Sequence, residues 1–383
     1  MNVDDIRTVS VIGAGDMGHG IAEVALLAGY KVFLQDIKKE FVDRGVRRIY
    51  DSLNKFIKKG RVTIDQYKGI QKLLLKPCVD LKEAVRETDL VIEAIPEIPD
   101  LKKKIFQQLD QNSPPHTLLT SNTSSIKITD MGRATSRPEK VMGLHFFNPV
   151  VLMRLVEVVR GDKTSEETMK TGYDFCRKIN KIPVLVKKDV PGFIVNRINA
   201  PAHVLRGLIL DEGIARPEEI DALFKKAGMP MGPFELLDYA GVDVHYQVLM
   251  YYAENLHPDY KPCRTLEKMM QEGRIGRKAG KGFYDWSDGR PDIDLAKSTD
   301  KLDPMDITAV QINEATKLIE MGVCSGKDID KAFTNGTGNN IGPMTIAKNQ
   351  DPSKLTKRLE RLAEISRKEI FRPTRMIREG TYR

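Results

Sequence analysis

The amino-acid sequence predicts a doubly wound α/β domain followed by all-α C-terminal domains. Up to about residue 188, short apolar runs such as residues 8–12 alternate with longer segments that have the apolar spacing of helices. This alternation is typical of a mostly parallel sheet covered by helices. After residue 190 one helix-like segment follows another. We therefore expect an α/β domain over residues 1–188, a helical domain over 189–290 and a second helical domain over 291–383.

The composition is that of a globular protein. With 383 residues, of which 41% are hydrophobic and 30% charged, the chain can bury a core in two or three domains. No apolar run approaches the roughly 18 residues that a membrane-spanning helix needs. The N-terminus also lacks the basic and then apolar pattern of a signal peptide. We therefore expect no membrane segment.

The net charge indicates which classes of partner to expect, and the cysteines indicate the redox environment. A net charge of +8 favours anionic ligands, but no basic patch interleaved with aromatic residues predicts a nucleic-acid partner. A phosphorylated small molecule would suit the charge equally well. The cysteines form no C-x-x-C pair, so we expect neither a disulfide framework nor a metal site, and a reducing cytoplasm fits best. These cysteines are Cys78, Cys176, Cys263 and Cys324.

A glycine-rich loop lies between the first predicted strand and the first predicted helix. Its G-x-G-x-x-G pattern is followed, 18 residues after the last glycine, by Asp36 at the end of the second predicted strand. Such glycines let the backbone approach a pyrophosphate at a helix N-terminus, and the acid can accept hydrogen bonds from ribose hydroxyls. We therefore expect a Rossmann-type dinucleotide site, whose loop contacts are Gly13, Gly15, Asp16, Met17 and Gly18.

The residues around this loop favour NAD as the dinucleotide. Asp36 would repel the 2′-phosphate of NADP, although Lys38 and Lys39 act weakly in the opposite direction. Asp16 is unexpected, because an acid at the pyrophosphate end of a helix competes with the ligand unless it points away or caps the helix. The alternative interpretation of the whole motif is an ordinary tight turn.

Polar side chains follow two further strands, at the edge where a doubly wound sheet binds its ligands. Glu97 follows the strand predicted near residues 89–95, and Asn122 and Ser124 follow the strand near residues 117–120. A Ser/Thr/Asn cluster after a strand is often only a helix cap. Its position at the ligand edge of the sheet favours a functional site here.

Two apolar runs, over residues 141–149 and 152–159, are predicted to be strands joined by an Asn-Pro turn. Each contains one residue unsuited to an apolar strand, His145 in the first and Glu157 in the second. Burying an unpaired carboxylate costs several kcal/mol, so an imidazole on the neighbouring strand would be a suitable partner. Such a pair can act as a general base. Alternatively, Glu157 faces solvent on an edge strand and His145 is a satisfied core histidine.

A charged helical segment extends from residue 38 to residue 59. Its apolar positions have helical spacing, and it ends in a cluster of basic residues. Such a cluster is usually a solvated face, and the alternative is a site for an anionic group. The basic residues are Lys55, Lys58, Lys59 and Arg61.

The helical part of the chain contains an internal repeat. A segment that starts at Asn199 recurs from Asn313, but the second copy lacks the Phe-Glu-Leu-Leu-Asp sequence and the Gly-Phe-Tyr end of the first. We therefore expect the second copy to be degenerate and structural. The matching elements are Glu219-Ile220-Asp221 with Asp328-Ile329-Asp330, and Gly232-Pro233 with Gly342-Pro343.

In combination these motifs resemble those of the 3-hydroxyacyl-CoA dehydrogenases. The resemblance covers about residues 5–286, and the remainder is similar to the repeated C-terminal domain of longer family members. Besides the glycine loop, the motifs that carry it are Ser121-Asn122-Thr123-Ser124-Ser125, His145-Phe146-Phe147-Asn148-Pro149, Leu155-Val156-Glu157, Pro191-Gly192-Phe193-Ile194-Val195-Asn196-Arg197 and Gly232-Pro233-Phe234-Glu235.

The resemblance implies NAD-dependent oxidation of a 3-hydroxyacyl-CoA to the 3-oxoacyl-CoA, and the reverse reaction, in fatty acid metabolism. It makes His145 the catalytic base and Glu157 the partner of that base. Ser124 and Asn196 would contact the reacting oxygen of the substrate. The resemblance further assigns CoA contacts to Ser52 and Lys59, and cofactor contacts to Asp36, Glu97, Lys102, Asn122, Asn148 and Lys278.

Two other functions stay open at this point. A dehydrogenase of the same fold that acts on a small non-CoA hydroxy acid would have no use for Lys59 as a phosphate anchor. A non-catalytic NAD-binding protein on the same scaffold would not need the set of His145, Glu157, Ser124 and Asn196, which is intact in this sequence.

The resemblance also bears on assembly, because single-copy members of the family pair through their C-terminal helical domains. Here a second copy follows the polar linker at residues 287–292 in the same chain. A copy tethered in this way has an effective concentration on the order of millimolar. We therefore expect an intramolecular pseudo-dimer of the two helical copies, in a chain that is a monomer or a homodimer.

Overall fold

The computed structural model describes residues 1–382, which form two compact units. The first unit comprises residues 1–195 together with residues 322–342, and the second comprises residues 196–321 and the chain from residue 343 onward. These units differ from the predicted domain boundaries. The expected third domain, residues 291–383, is divided between the two units.

The first unit is built on one eight-stranded sheet, and all residues of the strands in its middle are buried. The strand order is 3-2-1-4-5-6-7-8, and all neighbours are parallel except the sixth and seventh. The order reverses beside the first strand, which creates the crevice in which such sheets bind ligands. The strands are β1 (Thr8–Ile12), β2 (Lys31–Gln35), β3 (Leu75–Cys78), β4 (Leu90–Glu93), β5 (Leu118–Ser121), β6 (Val141–Phe146), β7 (Leu155–Arg160) and β8 (Ile182–Val186).

Helices cover this sheet, which is why its parallel strands are almost continuously apolar. Ile21, Ala22 and Ala25 on the first helix are completely buried in the core. The helices of this part of the chain are α1 (Gly18–Leu27), α2 (Lys39–Lys58), α3 (Ile64–Gly69), α4 (Leu81–Val85), α5 (Pro99–Asn112), α6 (Ile128–Gly132) and α7 (Glu166–Lys178).

The second unit is helical and begins at residue 196. Arg197 near the start of its first helix forms a buried ion pair with Glu314, and Asn199 Oδ1 accepts a hydrogen bond from Gln311 Nε2 at 2.8 Å. These contacts join the first helix of one repeat to the first helix of the other. The helices are α8 (Val195–Asp211), α9 (Pro217–Lys226), α10 (Pro233–Ala240), α11 (Val242–Asn255), α12 (Arg264–Gln271) and α13 (Pro304–Glu320).

The next helix, α14 (Gly326–Thr337), belongs to the second repeat but packs on β7 and β8 of the α/β unit. Its residues Ile329 and Ala332 are completely buried. Lys331 Nζ donates to the carbonyl oxygen of Pro183 at 3.0 Å. Just before the helix, the carbonyl oxygen of Val323 accepts from the backbone N–H of Lys187 at 2.8 Å.

The last helices return to the second unit. They are α15 (Pro343–Lys348), α16 (Pro352–Ser366) and α17 (Arg375–Glu379). No helix within residues 1–382 combines the length and the apolar character that crossing a bilayer requires.

The two copies of the internal repeat share one packing contact, between a glycine and an aspartate. In the first copy, a β-carbon at Gly232 would lie 2.3 Å from the side chain of Asp221. In the second copy, a β-carbon at Gly342 would lie 2.2 Å from the side chain of Asp330. Each copy therefore needs a glycine where the turn before a Pro-initiated helix passes over the aspartate of the preceding helix.

Candidate active site

His145 and Glu157 face each other across the antiparallel pair β6 and β7, where they are direct register partners. Glu157 Oε2 lies 2.7 Å from Nδ1 of His145, and Glu157 Oε1 accepts hydrogen bonds from the backbone N–H groups of Ile194 (3.2 Å) and Val195 (2.9 Å). Glu157 is completely buried and His145 is 5% exposed. The carboxylate therefore has three hydrogen-bond donors in place of water, which is the condition for burying it.

Two phenylalanine rings restrict the imidazole. The ring centroid of His145 lies 4.5 Å from that of Phe147 and 5.6 Å from that of Phe193. Phe193 has a φ of +54°, a left-handed conformation that costs a non-glycine residue roughly 1–2 kcal/mol. The turn at Phe193 directs the next two N–H groups toward Glu157, which gives this strain a function.

The glycine loop after β1 is tightly closed on one side and open on the other. A β-carbon at Gly18 would lie 1.7 Å from the carbonyl oxygen of Gly13, and one at Gly13 would lie 2.6 Å from the carbonyl oxygen of Ala94. No described atom lies within 4 Å of a β-carbon at Gly15. The first and last glycines are therefore required by packing, whereas the middle one leaves room for a ligand to approach the backbone.

The two acids near this loop are held in different ways. Asp36 Oδ2 accepts from the N–H of Ala14 at 2.8 Å, which fixes the carboxylate beside the loop at the end of β2. Asp16 is largely exposed and forms an ion pair with Arg48 at 2.5 Å. Its charge is therefore directed toward α2. Met17 directly precedes α1.

Glu97 organises the Ser/Thr/Asn segment after β5. Its Oε1 accepts hydrogen bonds from the Thr123 hydroxyl (2.5 Å) and from the backbone N–H groups of Ser124 (2.9 Å) and Ser125 (3.1 Å). Burial raises the pKa of the Glu97 carboxyl, but the charge of Lys102 and these hydrogen bonds outweigh it, and the pKa lies below its ordinary value. The segment therefore binds a carboxylate instead of capping a helix.

Lys102 lies beneath this segment with only 1% of its side chain exposed. Its Nζ lies 2.6 Å from Glu93 Oε1 and 3.3 Å from Glu97 Oε2. The ammonium group is thus bound by two protein carboxylates, although the family resemblance assigns Lys102 a cofactor contact. Its position is that of a group that holds Glu97.

Glu93 is a residue that the sequence analysis missed. It is completely buried, and its Oε2 accepts a hydrogen bond from the Ser121 hydroxyl at 2.6 Å. Its sequence signal was available, because Glu93 is an acid inside an apolar strand, as Glu157 is. The backbone N–H groups of Ile194 and Val195 were missed as well, since they carry no side-chain signal.

Asn122 and Asn148 lie on either side of the end of β6. Asn122 Oδ1 accepts from the N–H of Phe146 at 2.8 Å, which ties the end of β5 to the residue after His145. Asn148 is exposed just beyond β6. Asn122 therefore has a structural hydrogen bond in addition to its expected contact with the cofactor.

Ser52 and Lys59 lie seven residues apart at the C-terminal end of α2, about two helical turns, and so on the same side of the helix. Lys59 is exposed and Ser52 is half-buried. Beneath Ser52, burial raises the pKa of Glu23 to about 7, and a hydrogen bond with Ser52 partly offsets that effect.

Asn196 and Lys278 belong to the helical unit. Lys278 Nζ forms an ion pair with Asp243 at 2.6 Å. The α/β unit thus contains every other expected site residue, and the carboxyl ends of its parallel strands bring Asp36, Glu97 and His145 to one edge of the sheet.

Comparisons with known proteins identify the family. Residues 8–190 match the family model described as 3-hydroxyacyl-CoA dehydrogenase, NAD binding domain, and residues 192–286 match its C-terminal domain. The mitochondrial hydroxyacyl-coenzyme A dehydrogenase of Mus musculus is 41% identical over 287 residues, 73% of this chain and 91% of its own. A probable 3-hydroxybutyryl-CoA dehydrogenase of Bacillus subtilis is 39% identical, over 74% of this chain and 99% of its own.

A solved structure extends the similarity to almost the whole chain. The crystal structure of 3-hydroxybutyryl-CoA dehydrogenase from Escherichia coli superimposes with a TM-score of 0.87 at 31% sequence identity, and the match covers 98% of both chains. The α/β unit, the helical unit and the second repeat therefore all have a counterpart in one known structure. This chain belongs to the 3-hydroxyacyl-CoA dehydrogenase family.

Proposed function

We propose that this chain oxidises (S)-3-hydroxyacyl-CoA to 3-oxoacyl-CoA with NAD, and catalyses the reverse reduction, with His145 as the base. The observation that carries the proposal is the buried His145–Glu157 pair on the sheet whose ligand edge also holds the glycine loop. The family to which the chain belongs supports the same reaction.

The hydrogen bonds of the imidazole support its proposed role as the base. Because Glu157 is an acceptor at Nδ1, the proton of neutral His145 resides on Nδ1, and Nε2 keeps a free lone pair. Nε2 takes the proton of the substrate hydroxyl. The resulting imidazolium is stabilised by the Glu157 carboxylate, which the N–H groups of Ile194 and Val195 hold in place. In the reduction, the same imidazolium returns the proton.

The residues around the glycine loop fit NAD. Gly15 leaves the backbone open to a pyrophosphate, and Asp36 stands at the end of β2, where ribose hydroxyls are bound in this fold. NAD, when bound, supplies the acceptor for the hydride that leaves C3 of the substrate. Asn148 and Lys278 are further proposed cofactor contacts.

Ser124 and Asn196 position the substrate oxygen, which changes between alcohol and ketone. Ser124 is suited to this role because Glu97 fixes its backbone N–H. Ser52 and Lys59 would bind the CoA part of the thioester. The exposed basic end of α2 supports this assignment, because a CoA phosphate is an anion.

The two rival functions are less well supported. A dehydrogenase of small hydroxy acids would not need the basic end of α2. A non-catalytic NAD-binding protein would have no reason to maintain the buried His145–Glu157 pair, which leaves an imidazole nitrogen free while it costs desolvation of a carboxylate.

We also propose that the two helical copies dock within one chain as a pseudo-dimer, in a chain that is a monomer or a homodimer. The buried ion pair between Arg197 on α8 and Glu314 on α13 supports this, as does the hydrogen bond between Asn199 and Gln311. Removing one partner of a buried ion pair leaves an uncompensated charge, at a cost of about 3–5 kcal/mol. The second copy contributes no group that touches the substrate.

We propose a reducing compartment, such as the cytoplasm, as the place of action. All four cysteines, which lie within the described residues, are free. Burial raises the pKa of Cys324 to about 12 and that of Cys78 to about 11, so these thiols are poor nucleophiles and oxidise slowly.

The reaction is tested by following NADH absorbance with acetoacetyl-CoA and, separately, with free acetoacetate. We expect rapid oxidation of NADH with the thioester and little with the free acid, because only the thioester can use Ser52 and Lys59. Equal rates with both substrates would favour the dehydrogenase of small hydroxy acids. No turnover of either substrate, with NADH binding intact, would favour the non-catalytic protein.

Replacing His145 by Gln should lower kcat by about 10²- to 10⁴-fold, because the amide cannot take up the proton. The affinity for NADH, measured by fluorescence titration, should stay close to that of the parent. His116→Gln is the matched control, because His116 is an exposed histidine that pairs with Asp89. A His145→Gln enzyme with kcat within a few-fold of the parent would show that His145 is not the base.

The preference for NAD over NADP should depend on the charge of Asp36. We expect kcat/KM with NAD to exceed that with NADP by at least about tenfold, roughly 1.4 kcal/mol of charge repulsion and lost ribose hydrogen bonds. Asp36→Asn removes the charge and should narrow this ratio, whereas Asp65→Asn, at an exposed acid on α3, should not. If the parent uses both dinucleotides equally well, Lys38 or Lys39 binds the 2′-phosphate and the role given to Asp36 is wrong.

Sedimentation should show a species near the chain mass of 43.2 kDa. Glu314→Gln should reduce the free energy of unfolding by about 3 kcal/mol, because it leaves Arg197 buried without its counter-charge. Glu364→Gln, which changes an exposed acid on α16, is the control. A Glu314→Gln variant as stable as the control would contradict the docking of the two copies within one chain, and a parent protein of twice the chain mass would indicate a homodimer of docked chains.

A further inference from the structure

Gly336, in the last turn of α14, lies against the residues that surround the catalytic pair. A β-carbon at this position would be 2.7 Å from Leu155 Cδ2, and 3.3 Å from both Phe147 Cε1 and Val195 Cγ2. These distances are shorter than ordinary van der Waals contacts. The helix can therefore approach this closely only because residue 336 has no side chain.

Each of the three neighbours of Gly336 is linked to His145 or Glu157. The ring centroid of Phe147 lies 4.5 Å from that of His145. The N–H of Val195 donates to Glu157 Oε1 at 2.9 Å. Leu155 stands two residues before Glu157 on β7, so its side chain projects from the same face of the sheet.

The segment that carries Gly336 is firmly seated on the α/β unit. Besides the hydrogen bonds of Lys331 and Val323 described above, Ile329 and Ala332 are completely buried and Phe333 is 6% exposed. The segment lies outside residues 8–286, the region that matches the two family domains. It is therefore an addition of the second repeat to the α/β unit.

We propose that Gly336 is a positioning residue through which α14 of the second repeat fixes His145 relative to Glu157. Contact with α14 keeps Phe147 against the imidazole of His145. The same contact keeps Val195 and Leu155 beside the carboxylate of Glu157. The second repeat thus stabilises the catalytic geometry although it touches no substrate. This inference rests on the proposed function, because it concerns the same base.

The test compares two substitutions of increasing side-chain size at position 336 with one control substitution at another glycine. Gly336→Ala forces the tip of Leu155 to move, and Gly336→Val also displaces Phe147 and Val195. Gly69→Ala is the control, because Gly69 has helical backbone angles (φ −62°, ψ −45°) and no described atom within 4 Å of its β-carbon. All variants are made in the full chain, and their folding is checked by circular dichroism and NADH binding.

We expect kcat to fall about threefold in Gly336→Ala and about 10- to 100-fold in Gly336→Val, since small misplacements of catalytic groups have effects of this size. KM for acetoacetyl-CoA and NADH affinity should stay within about twofold of the parent, because none of the three side chains that meet position 336 is a proposed binding residue. Gly69→Ala should match the parent in all of these quantities.

The kcat value per NADH-binding site separates positioning from simple loss of stability. Positioning predicts that each folded, NADH-binding molecule of the variant turns over more slowly than the parent. A variant that had merely lost stability would have fewer NADH-binding sites, and each remaining site would have the kcat of the parent. That result, or a Gly336→Val enzyme with the kcat of the parent, would overturn the proposal.

Two further outcomes are interpretable. If Gly336→Val does not fold, the kcat of Gly336→Ala per NADH-binding site decides, and a parental value would overturn the proposal. If the parent enzyme itself fails to turn over acetoacetyl-CoA, the proposed function is wrong, which is a different result from an active parent with unaffected Gly336 variants.

Discussion

The structure around the active site depends on one constraint, which is that the carboxylate of Glu157 is buried in the middle of a sheet. A buried carboxylate needs a donor for each of its oxygens. His145 satisfies one oxygen, because the antiparallel register of β6 and β7 places the two residues directly opposite each other. Two backbone N–H groups satisfy the other, which requires the left-handed turn at Phe193 directly before α8.

The same constraint recurs on the cofactor side of the site. Glu93 is also completely buried, and it is neutralised by Lys102, which in turn reaches Glu97. Glu97 then binds the backbone of the segment that carries Ser124. Two buried acids, Glu157 and Glu93, thus hold the two halves of the site in place. Each of them acts through neighbouring protein groups and need not touch the substrate or the cofactor. Buried polar networks of this kind favour one arrangement when every member has its partner.

The sequence predicted the elements that depend on local pattern. The glycine loop, β1 and α2 lie within one or two residues of their expected limits, and the acid inside an apolar strand identified Glu157. Features that depend on tertiary contacts could not be predicted in this way. The ammonium group of Lys102 meets Glu93 and Glu97 only when α5 packs beside the end of β4, and helical periodicity identifies α14 as a helix without revealing which unit it joins.

The divided composition of the α/β unit has a consequence for biosynthesis. Residues 1–195 leave the ribosome before the intervening residues 196–321, and the segment 322–342 that completes the unit follows only after them. At about 5–20 residues per second, the nascent sheet spends on the order of ten seconds with the α14 side of β7 and β8 uncovered. During that interval it exposes an apolar face of the kind that chaperones bind. Translation speed through the helical region therefore sets how long this intermediate is vulnerable to aggregation.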